Sequence, residues 1–527
     1  MRRHMSRLLE RVSGFIPAVI ALTLPIAFLP SAGDSYILPR ASIVIGGASL
    51  GVGVALIIPR GPGLAGLRLP LAAAAAAAVL AFIFSISWPL SVAGSYTRYE
   101  SLPMRLAYLG LMASAVWLLK SRLQRDVVVT AFVFGATVAS LEALEQAFTH
   151  VAFRPDGNLG NANLLAALIA MAIPLAVERA WRGGLFVGPW AAAVVVMASG
   201  LVVTTSRSGG LGAIAGCLAL ITFAVPRRLS TAAGAASAVA VGAAVLFILV
   251  SPLRALNDDP ASLRLNLWQD GLRLVGARPL TGWGEDATGL SFGHYLTQDY
   301  AGLVTFDRVH SGPLDVAATQ GILGLAALAW VLVVLSRGAW RRREERDVAG
   351  LAGALAGYSV WVFFNFDWAP ATGPFWLLAG TLWSTLPRLP GKVDPSLGDR
   401  AGWRVALWQP LLAAALVVVA VVFAVFPILA DTWYIRGRAE LSVRLDPLQA
   451  QYHRSLGLSV MARGDLPGGV AELRRAADLG ETDPGLYVEL GDRERQLGNF
   501  DGARRAYQRA LAIDPYYTPA AQRLAGV

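Results

Sequence analysis

Long apolar runs alternate with short polar breaks over the first 430 residues. The pattern predicts thirteen helical spans, near 14–31, 41–58, 69–90, 103–119, 127–147, 162–177, 187–204, 209–225, 233–251, 313–336, 348–365, 371–387 and 406–430. Apolar runs of this length, nearly free of charge, read as membrane helices. Several are rich in alanine and glycine, as in 71–79, a composition that lets helix backbones approach closely. One polar insertion interrupts the series, at 252–312. It ends on His310-Ser311, followed by nine residues and then Gly321-Ile322-Leu323-Gly324. As the longest polar stretch in the membrane part, it is the natural place for chemistry.

A different period begins at 431. Leu456-Gly457 recurs 34 residues later as Leu490-Gly491, and Leu524 falls at the next step. Gly464-Asp465-Leu466 recurs as Gly498-Asn499-Phe500, Ala476 as Ala510, and Asp514-Pro515 closes the unit. This resembles the tetratricopeptide repeat, a helical hairpin that stacks on its neighbours. The 484–515 copy is good. The 450–481 copy is degenerate, with Gly469 where a small alanine usually sits. The chain therefore divides into a polytopic membrane part, 1–430, and an all-α repeat domain, 431–527.

Composition agrees with a membrane protein. Of 527 residues, 55% are hydrophobic and 15% charged, against about 25% charged in soluble domains. The net charge of +10 is not a nucleic-acid signal, because most arginines sit in short loops and orient the spans. Arg2, Arg3, Arg7 and Arg11 precede the first span, which reads as an uncleaved helix rather than a removed signal. Alternate loops carry Arg60 and Arg68, Lys120 to Arg125, Arg179 and Arg182, Arg227 and Arg228, Arg337 to Arg346, and Arg388 to Arg404. The opposite loops carry chiefly Arg98, Arg105, Arg154 and Arg207. This asymmetry predicts a cytoplasmic N-terminus, with loop 252–312 and the repeat domain on the periplasmic or extracellular side of the inner membrane. The single cysteine, Cys217, forms no intrachain disulfide, and no Cys/His cluster has zinc spacing.

The outward loops collect polar groups. They include Gly94-Ser95-Tyr96-Thr97-Arg98-Tyr99-Glu100, Gly157-Asn158-Leu159-Gly160-Asn161-Ala162-Asn163, and Thr204-Thr205-Ser206-Arg207-Ser208-Gly209-Gly210. Arg207, in a very short turn between spans, either snorkels to the interface or offers a fixed guanidinium to an anion such as phosphate. Residues 258–276 read as an amphipathic helix starting at Asp258-Asp259-Pro260. Leu263, Leu267, Trp268 and Leu274 form its apolar side, and Arg264 stands four residues before Trp268. By itself such a helix lies on lipid headgroups. His310 suits either a structural role or a general base acting on a hydroxyl. Gly321 and Gly324 read as close-packing positions on the helix after it. Glu142 and Glu145 lie on one helix face and read as partners for Arg154 or Arg207.

Four stretches in order resemble the O-antigen ligase and polymerase superfamily, which also holds the bacterial O-oligosaccharyltransferases. They are GNLGNANLLAALIAMAIPLA (157–176), SRSGGLGAIAG (206–216), RLNLWQDGLRLVGARPLTGWG (264–284) and HSGPLDVAATQGILG (310–324). The last, a histidine, a polar residue, nine residues and Gly-x-x-Gly, is the most specific. GSYTRYE (94–100) is similar to a subgroup with C-terminal repeats. The resemblance implies a GT-C-like helical fold and inverting glycosyl transfer on the outer membrane face. The implied donor is a glycan on a polyprenyl diphosphate, usually undecaprenyl. The acceptor is a lipid A core sugar, a growing glycan or a protein hydroxyl. No cofactor, nucleotide sugar or obligatory metal is implied. Arg207 and Arg264 match the family's two important arginines, and His310 its histidine. Arg98, Asn161, Trp268 and Arg273 join Arg207 and Arg264 as expected diphosphate or glycan contacts. The inserted Ser208, and Asp315 after the histidine, depart from the family pattern.

The chemistry fits the residues. Charge develops on phosphate oxygens as a lipid diphosphate leaves, and two preorganised arginines can stabilise it without a metal. Other readings are a repeat-unit polymerase, a lipid-linked glycan transporter, and a scaffold whose repeats recruit partners. The transporter reading lacks a repeat of the membrane half and paired broken helices. The scaffold reading has no use for Arg207, Arg264 and His310 together, and their convergence on one cavity distinguishes an enzyme from it.

Overall fold

The computed structural model describes residues 12–58, 63–184, 186–250, 261–300, 306–345, 347–385 and 408–527. The cationic positions Arg2, Arg3, Arg7, Arg11, Arg60, Arg346, Arg388, Lys392, Arg400 and Arg404 lie outside them, as does the Asp258-Asp259-Pro260 helix start.

Every apolar run predicted from the pattern folds as a helix, and the described residues contain no strand. In order they are α1 (Ile16–Ile26), α2 (Ile37–Ile57), α3 (Arg68–Ile83), the short α4 (Trp88–Ala93), α5 (Leu102–Leu118), α6 (Arg122–Phe148), α7 (Ala162–Trp181) and α8 (Val187–Val203). Then come α9 (Arg207–Ala224), α10 (Arg227–Val250), α11 (Ala261–Ala277), α12 (Gly312–Arg341), α13 (Val348–Phe363) and α14 (Ala369–Thr385). Finally α15 (Trp408–Ala420) continues through a π-turn at Val421–Val425 into α16 (Phe426–Ile435). Among the described residues, seven helices are long and apolar enough to cross a membrane, so the chain is a multi-pass membrane protein.

Small residues set the centre of the bundle. α7 is the most buried long helix, and α9 and α13 pack against it and each other. A Cβ at Gly212 would fall 2.7 Å from the Gly357 carbonyl oxygen, and one at Gly353 would fall 2.7 Å from that of Gly216. The backbones meet with no side chain between them, as close packing in a membrane requires. α10 contributes nothing buried in its apolar window and lies at the edge. The three central helices bring the first turn of α7, the first turn of α9 and the end of α13 to one place.

Two predicted spans are interrupted, and the interruptions interlock. The run at 69–90 breaks after Ile83, so that α3 and α4 are separate helices. There the Ile86 amide donates to the Trp283 carbonyl at 3.2 Å. α12 breaks at Gly321, whose φ is 68°. Gly321 was expected to pack closely on a continuous helix; instead it ends one helical segment and starts another. The break removes the bonds from the Ile322 and Leu323 amides to the Ala318 and Thr319 carbonyls. All four groups are re-satisfied by 279–284. Trp283 and Gly284 donate to Ala318 and Thr319 at 2.8 and 3.0 Å, and the Ile322 amide donates to Pro279 at 2.8 Å. The Leu323 amide donates to Leu280 at 3.5 Å. Gly282, at φ 69°, lies against the Thr319 carbonyl, where a Cβ would fall 2.5 Å from the oxygen. The Pro-Leu-x-Gly-x-Gly and Gly-x-x-Gly stretches are thus two halves of one joint.

The apolar side of α11 is buried in protein rather than laid on headgroups. Leu267 and Leu274 pack with Phe292, Val309 and Ala318. α11 is thereby fixed over the joint, with the segment leading to His310 beneath it.

The repeat domain comprises α17 (Ala439–Leu445), the hairpins α18/α19 (Ala450–Ala462, Leu466–Asp478) and α20/α21 (Pro484–Gln496, Phe500–Ile513), and α22 (Thr518–Ala525). The 34-residue period has a local cause. Gly464 and Gly498 take positive φ at the turns, and Asp465 and Asn499 then cap α19 and α21 by accepting from Gly468 and Gly502. In the degenerate copy, a Cβ at Gly469 would fall 2.7 Å from the Gly457 carbonyl oxygen, so the hairpin tolerates no alanine there without a shift.

This domain docks on the loops of the membrane part. Leu90 and Leu290 belong to its apolar core, and the Tyr516 hydroxyl donates to the Leu296 carbonyl at 3.3 Å. Buried Asp431 on α16 accepts from the Asp34 amide (2.7 Å), the Tyr96 hydroxyl (2.9 Å) and the Tyr452 hydroxyl (3.1 Å). One carboxylate thus joins the first loop, the 94–100 loop and the first repeat hairpin.

The joint yields a prediction. Gly321→Ala places a Cβ against the Leu280 carbonyl and strains a left-handed residue, at a cost on the order of 1–3 kcal/mol. Size-exclusion profiles after graded heating should show a clear loss of monodisperse protein for Gly321→Ala. An unchanged profile would refute the account.

Candidate functional site

A cavity of about 590 Å³ lies where α7, α11 and α13 meet the 94–100 and 306–311 loops. Its lining includes Arg98, Asn161, Arg264 and His310, four of the residues expected from the sequence. Thr97, Asn163, Tyr300, Phe306, Asn365 and Trp368 line it as well.

Arg98 is held from several directions. Its Nε and Nη2 donate to the two oxygens of Asp307 at 2.6 and 3.0 Å. Its guanidinium lies over the rings of Phe366 (4.9 Å) and Trp368 (4.5 Å), a favourable cation–π stack. Burial alone would raise the Asp307 carboxyl, but Arg98 and Arg308 overcome it and hold it at about 2. Asp307 is therefore an anion at any working pH, and Arg98 keeps its clamp. The rest of the 94–100 loop is pinned by Asp286, which accepts from the Ser95 amide (2.6 Å) and hydroxyl (3.0 Å) and pairs with Arg308.

Arg264 rises from the first turn of α11 and donates through Nη1 to the Phe364 carbonyl. Four residues on, Trp268 does not line the cavity. Its Nε1 donates to the His310 carbonyl at 3.1 Å, and its ring packs on Phe363 and Phe364. It positions the histidine backbone. His310 takes φ 57°, a conformation a non-glycine residue holds only when its surroundings fix it. Trp268 fixes one side and Asp315, accepting from the Val309 amide at 2.8 Å, the other. The His310 ring stands edge-on between Phe306 (5.7 Å) and Phe366 (5.1 Å). Asp315, a departure from the family pattern, thus secures the turn before the helix.

The floor is a chain of small polar groups. Asn161 caps α7 by accepting from the Asn163 amide at 2.8 Å. The Asn163 Oδ1 accepts from Ser206 Oγ (2.8 Å) and Arg154 Nη2 (3.1 Å). The Asn365 amide donates to Ser208 Oγ at 2.9 Å. The inserted Ser208 therefore anchors a lining residue. Arg207 lies between these two serines, half-buried at the start of α9, and is not among the described residues that line the cavity. Arg273 lies apart from it, its Nη1 donating to Asp270 at 2.5 Å, while Asp270 also accepts from Tyr300 at 2.6 Å. Glu142, expected beside Arg154 or Arg207, accepts from the Asn158 side chain. Of the three residues whose convergence separates an enzyme from a scaffold, Arg264 and His310 meet at the cavity, and Arg207 stands beside its floor.

Behind the cavity lies a buried acidic network that sequence reasoning missed. Arg105 on α5 donates to Glu285 (3.0 Å) and Asp367 (2.6 Å) and lies 3.8 Å from Glu100. Tyr108 donates to Glu100 at 2.6 Å, and Gln320, next to the α12 break, donates to Glu285 at 2.5 Å. Three carboxyls around one guanidinium tie the 94–100, 282–290 and 364–368 loops together. A signal for it existed: Asn365-Phe366-Asp367-Trp368 is a polar-aromatic run ending an apolar span. Burial, only partly opposed by Arg105, pushes the Glu100 carboxyl up to about 8. Among the described residues no group of three His, Cys, Asp or Glu side chains is placed to hold a metal ion.

A family model described as O-antigen ligase matches residues 192–329. A second model, the tetratricopeptide repeat, matches residues 484–517. No curated protein matches the chain. The O-antigen ligase match carries Arg207, Arg264, His310 and both halves of the α12 joint. Arg98, Asn161, Glu100, Arg105 and Asp367 stand outside it in sequence, while Glu285 and Gln320 of the Arg105 network lie within it. The chain is thus a multi-pass membrane protein with one segment similar to the O-antigen ligase family and another similar to the tetratricopeptide repeat.

Glu100 gives the network a pH signature. An acid raised from about 4.3 in the unfolded chain to about 8 in the fold binds more protons when folded. Its stabilising contribution is full below about 4.3, declines as pH rises, and is gone above about 8. Glu100→Gln, which keeps the Tyr108 contact without ionising, should flatten this part of the melting-midpoint profile between pH 5 and 8. Parallel profiles for wild type and Glu100→Gln would count against a protonated Glu100.

Proposed function

We propose that this protein transfers a glycan from a polyprenyl-diphosphate carrier to an acceptor hydroxyl at the outer face of the inner membrane, as a ligase that inverts the anomeric configuration. The observation that carries this reading is one cavity in which two arginines and a histidine stand beside amide and aromatic side chains. Arginines suit a diphosphate, through charge-assisted hydrogen bonds. Asparagines and exposed ring faces suit sugars. The family match supports the ligase class.

In the proposed reaction the acceptor oxygen attacks the anomeric carbon as its bond to the phosphate oxygen breaks. The electron pair of that bond leaves on the polyprenyl diphosphate, where Arg264 and Arg98 stabilise it, with Arg207 beside the floor. The acceptor proton passes to His310, whose ordinary pKa is near neutrality. Burial of the cavity walls strengthens these electrostatic contacts. No metal takes part in the proposed steps. The repeat domain, docked on the loops that hold Arg98 and His310, lies on the cavity's side of the molecule, and we assign it to holding the acceptor or a partner that presents it.

Steady-state transfer by purified protein tests this, with a polyprenyl-diphosphate glycan as donor. Arg264→Ala and Arg98→Ala should each slow transfer by about a hundredfold. His310→Ala should lower kcat and leave the donor KM unchanged if the histidine accepts the proton; a raised donor KM would make it a diphosphate contact instead. One addition per acceptor marks a ligase and a ladder marks a polymerase. Donor bound but never consumed, across several acceptors, would overturn the enzymatic reading in favour of transport.

A further inference from the structure

A second cavity, of about 640 Å³, lies along α13, the helix whose end lines the first. It is a groove between α9, α12, α13 and α14. The groove runs along α13 from Ala352 to Ser359, about 10 Å at 1.5 Å per residue. Its walls are almost wholly apolar, with Leu355 and Phe375 among them. One end is different. There Arg337 and Arg341, one turn apart on α12, border the opening, and Trp340 stands between them. Phe223 of α9 meets Trp340 edge-on at 5.4 Å, bracing the groove.

The two arginines are exposed, and neither makes an ion pair or side-chain hydrogen bond among the described residues. Arg343 behaves otherwise: it is buried, donates to Ser230 Oγ and lies over the Trp340 ring at 4.6 Å. Arg343 holds the helix end, and Arg337 and Arg341 face outward with charge to spare. An apolar slot between membrane helices, with two cations and a tryptophan at one end, suits a lipid with an anionic head.

We propose that this groove holds an acyl chain of an anionic glycerophospholipid, with the lipid phosphate paired to Arg337 and Arg341. α12 starts beside His310 and ends at Arg341, thirty residues later. The first cavity is lined by Trp361 and Asn365 at the end of α13, and the groove by Ala352 to Ser359 before it. Under the proposed function the donor's diphosphate sits in the first cavity with Arg98 and Arg264, so Arg337 and Arg341 are assigned to a second lipid. The choice of a lipid other than the donor rests on the proposed function, and the presence of a bound anionic lipid does not.

The test uses full-length protein exchanged into lipid-free detergent. Phosphatidylglycerol, phosphatidylcholine of the same chains, and glycerol phosphate are each added. Native mass spectrometry counts retained lipid, and melting midpoints report stabilisation. Phosphatidylglycerol is expected to stay bound as a single molecule and raise the midpoint, with the other two doing neither. Losing each arginine should weaken retention by roughly fivefold, so Arg337→Gln with Arg341→Gln should abolish the preference. Arg228→Gln, on an exposed arginine at the same membrane face, should leave it intact. Ser359→Phe should fill the slot and release the lipid with both arginines in place; should that variant fail to fold, the arginine pair still decides. The proposal falls if the two phospholipids act alike, if the double variant keeps the preference, or if Arg228→Gln loses it equally. A full effect from glycerol phosphate would overturn the acyl slot.

Discussion

A membrane helix interrupted in its course frees amides and carbonyls that lipid cannot satisfy, so it persists only where other protein backbone takes them up. α12 breaks at Gly321, and the 279–284 segment restores four hydrogen-bonding groups one for one. Much of the rest follows from this joint. It fixes the end of α11 against α12, and α11 carries Arg264 and Trp268. It fixes the start of α12, and with it His310. It places Gln320 where it can reach Glu285 and so join the acidic network. The two glycine motifs, well separated in the chain, serve a single backbone contact.

The charges around the cavity are arranged in layers. Cations face the cavity, and carboxylates stand behind them: Asp307 behind Arg98, with Asp286 and Arg308 fixing the same loop. Further back, Arg105 is surrounded by Glu100, Glu285 and Asp367. A rigid guanidinium needs such support, because a long side chain free to move would offer a diphosphate much less than a preorganised one. The support also limits the net charge, because Asp307 offsets Arg98.

The repeat domain is joined to this arrangement rather than tethered beside it. Asp431 accepts from Tyr96 in the Arg98 loop and from Tyr452 in the first repeat hairpin. Leu90 and Leu290 complete the repeat core from the membrane side. Short arrays bury little apolar surface by themselves, and here the membrane loops supply part of what neighbouring repeats would otherwise provide.

Much was determined by the sequence alone, because it depends on local period and composition. The apolar runs specified the helices, the 34-residue period specified the hairpins, and the histidine with its Gly-x-x-Gly pointed to the family. Arg98, Asn161, Arg264 and His310 were named from the polar outward loops and the family resemblance, and the structure places them around one cavity. What the tertiary structure decided concerns partners far apart in the chain. It turned Gly321 from a packing position into a helix break, because a segment forty residues earlier supplies the hydrogen bonds. It moved Trp268 behind His310 and Arg273 onto Asp270, because α11 presents different faces to different neighbours. It gave Ser208 and Asp315 structural partners and revealed Arg105 as a hub. None of these could be read from spacing, since a hydrogen bond between residues 105 and 285 leaves no local period to detect.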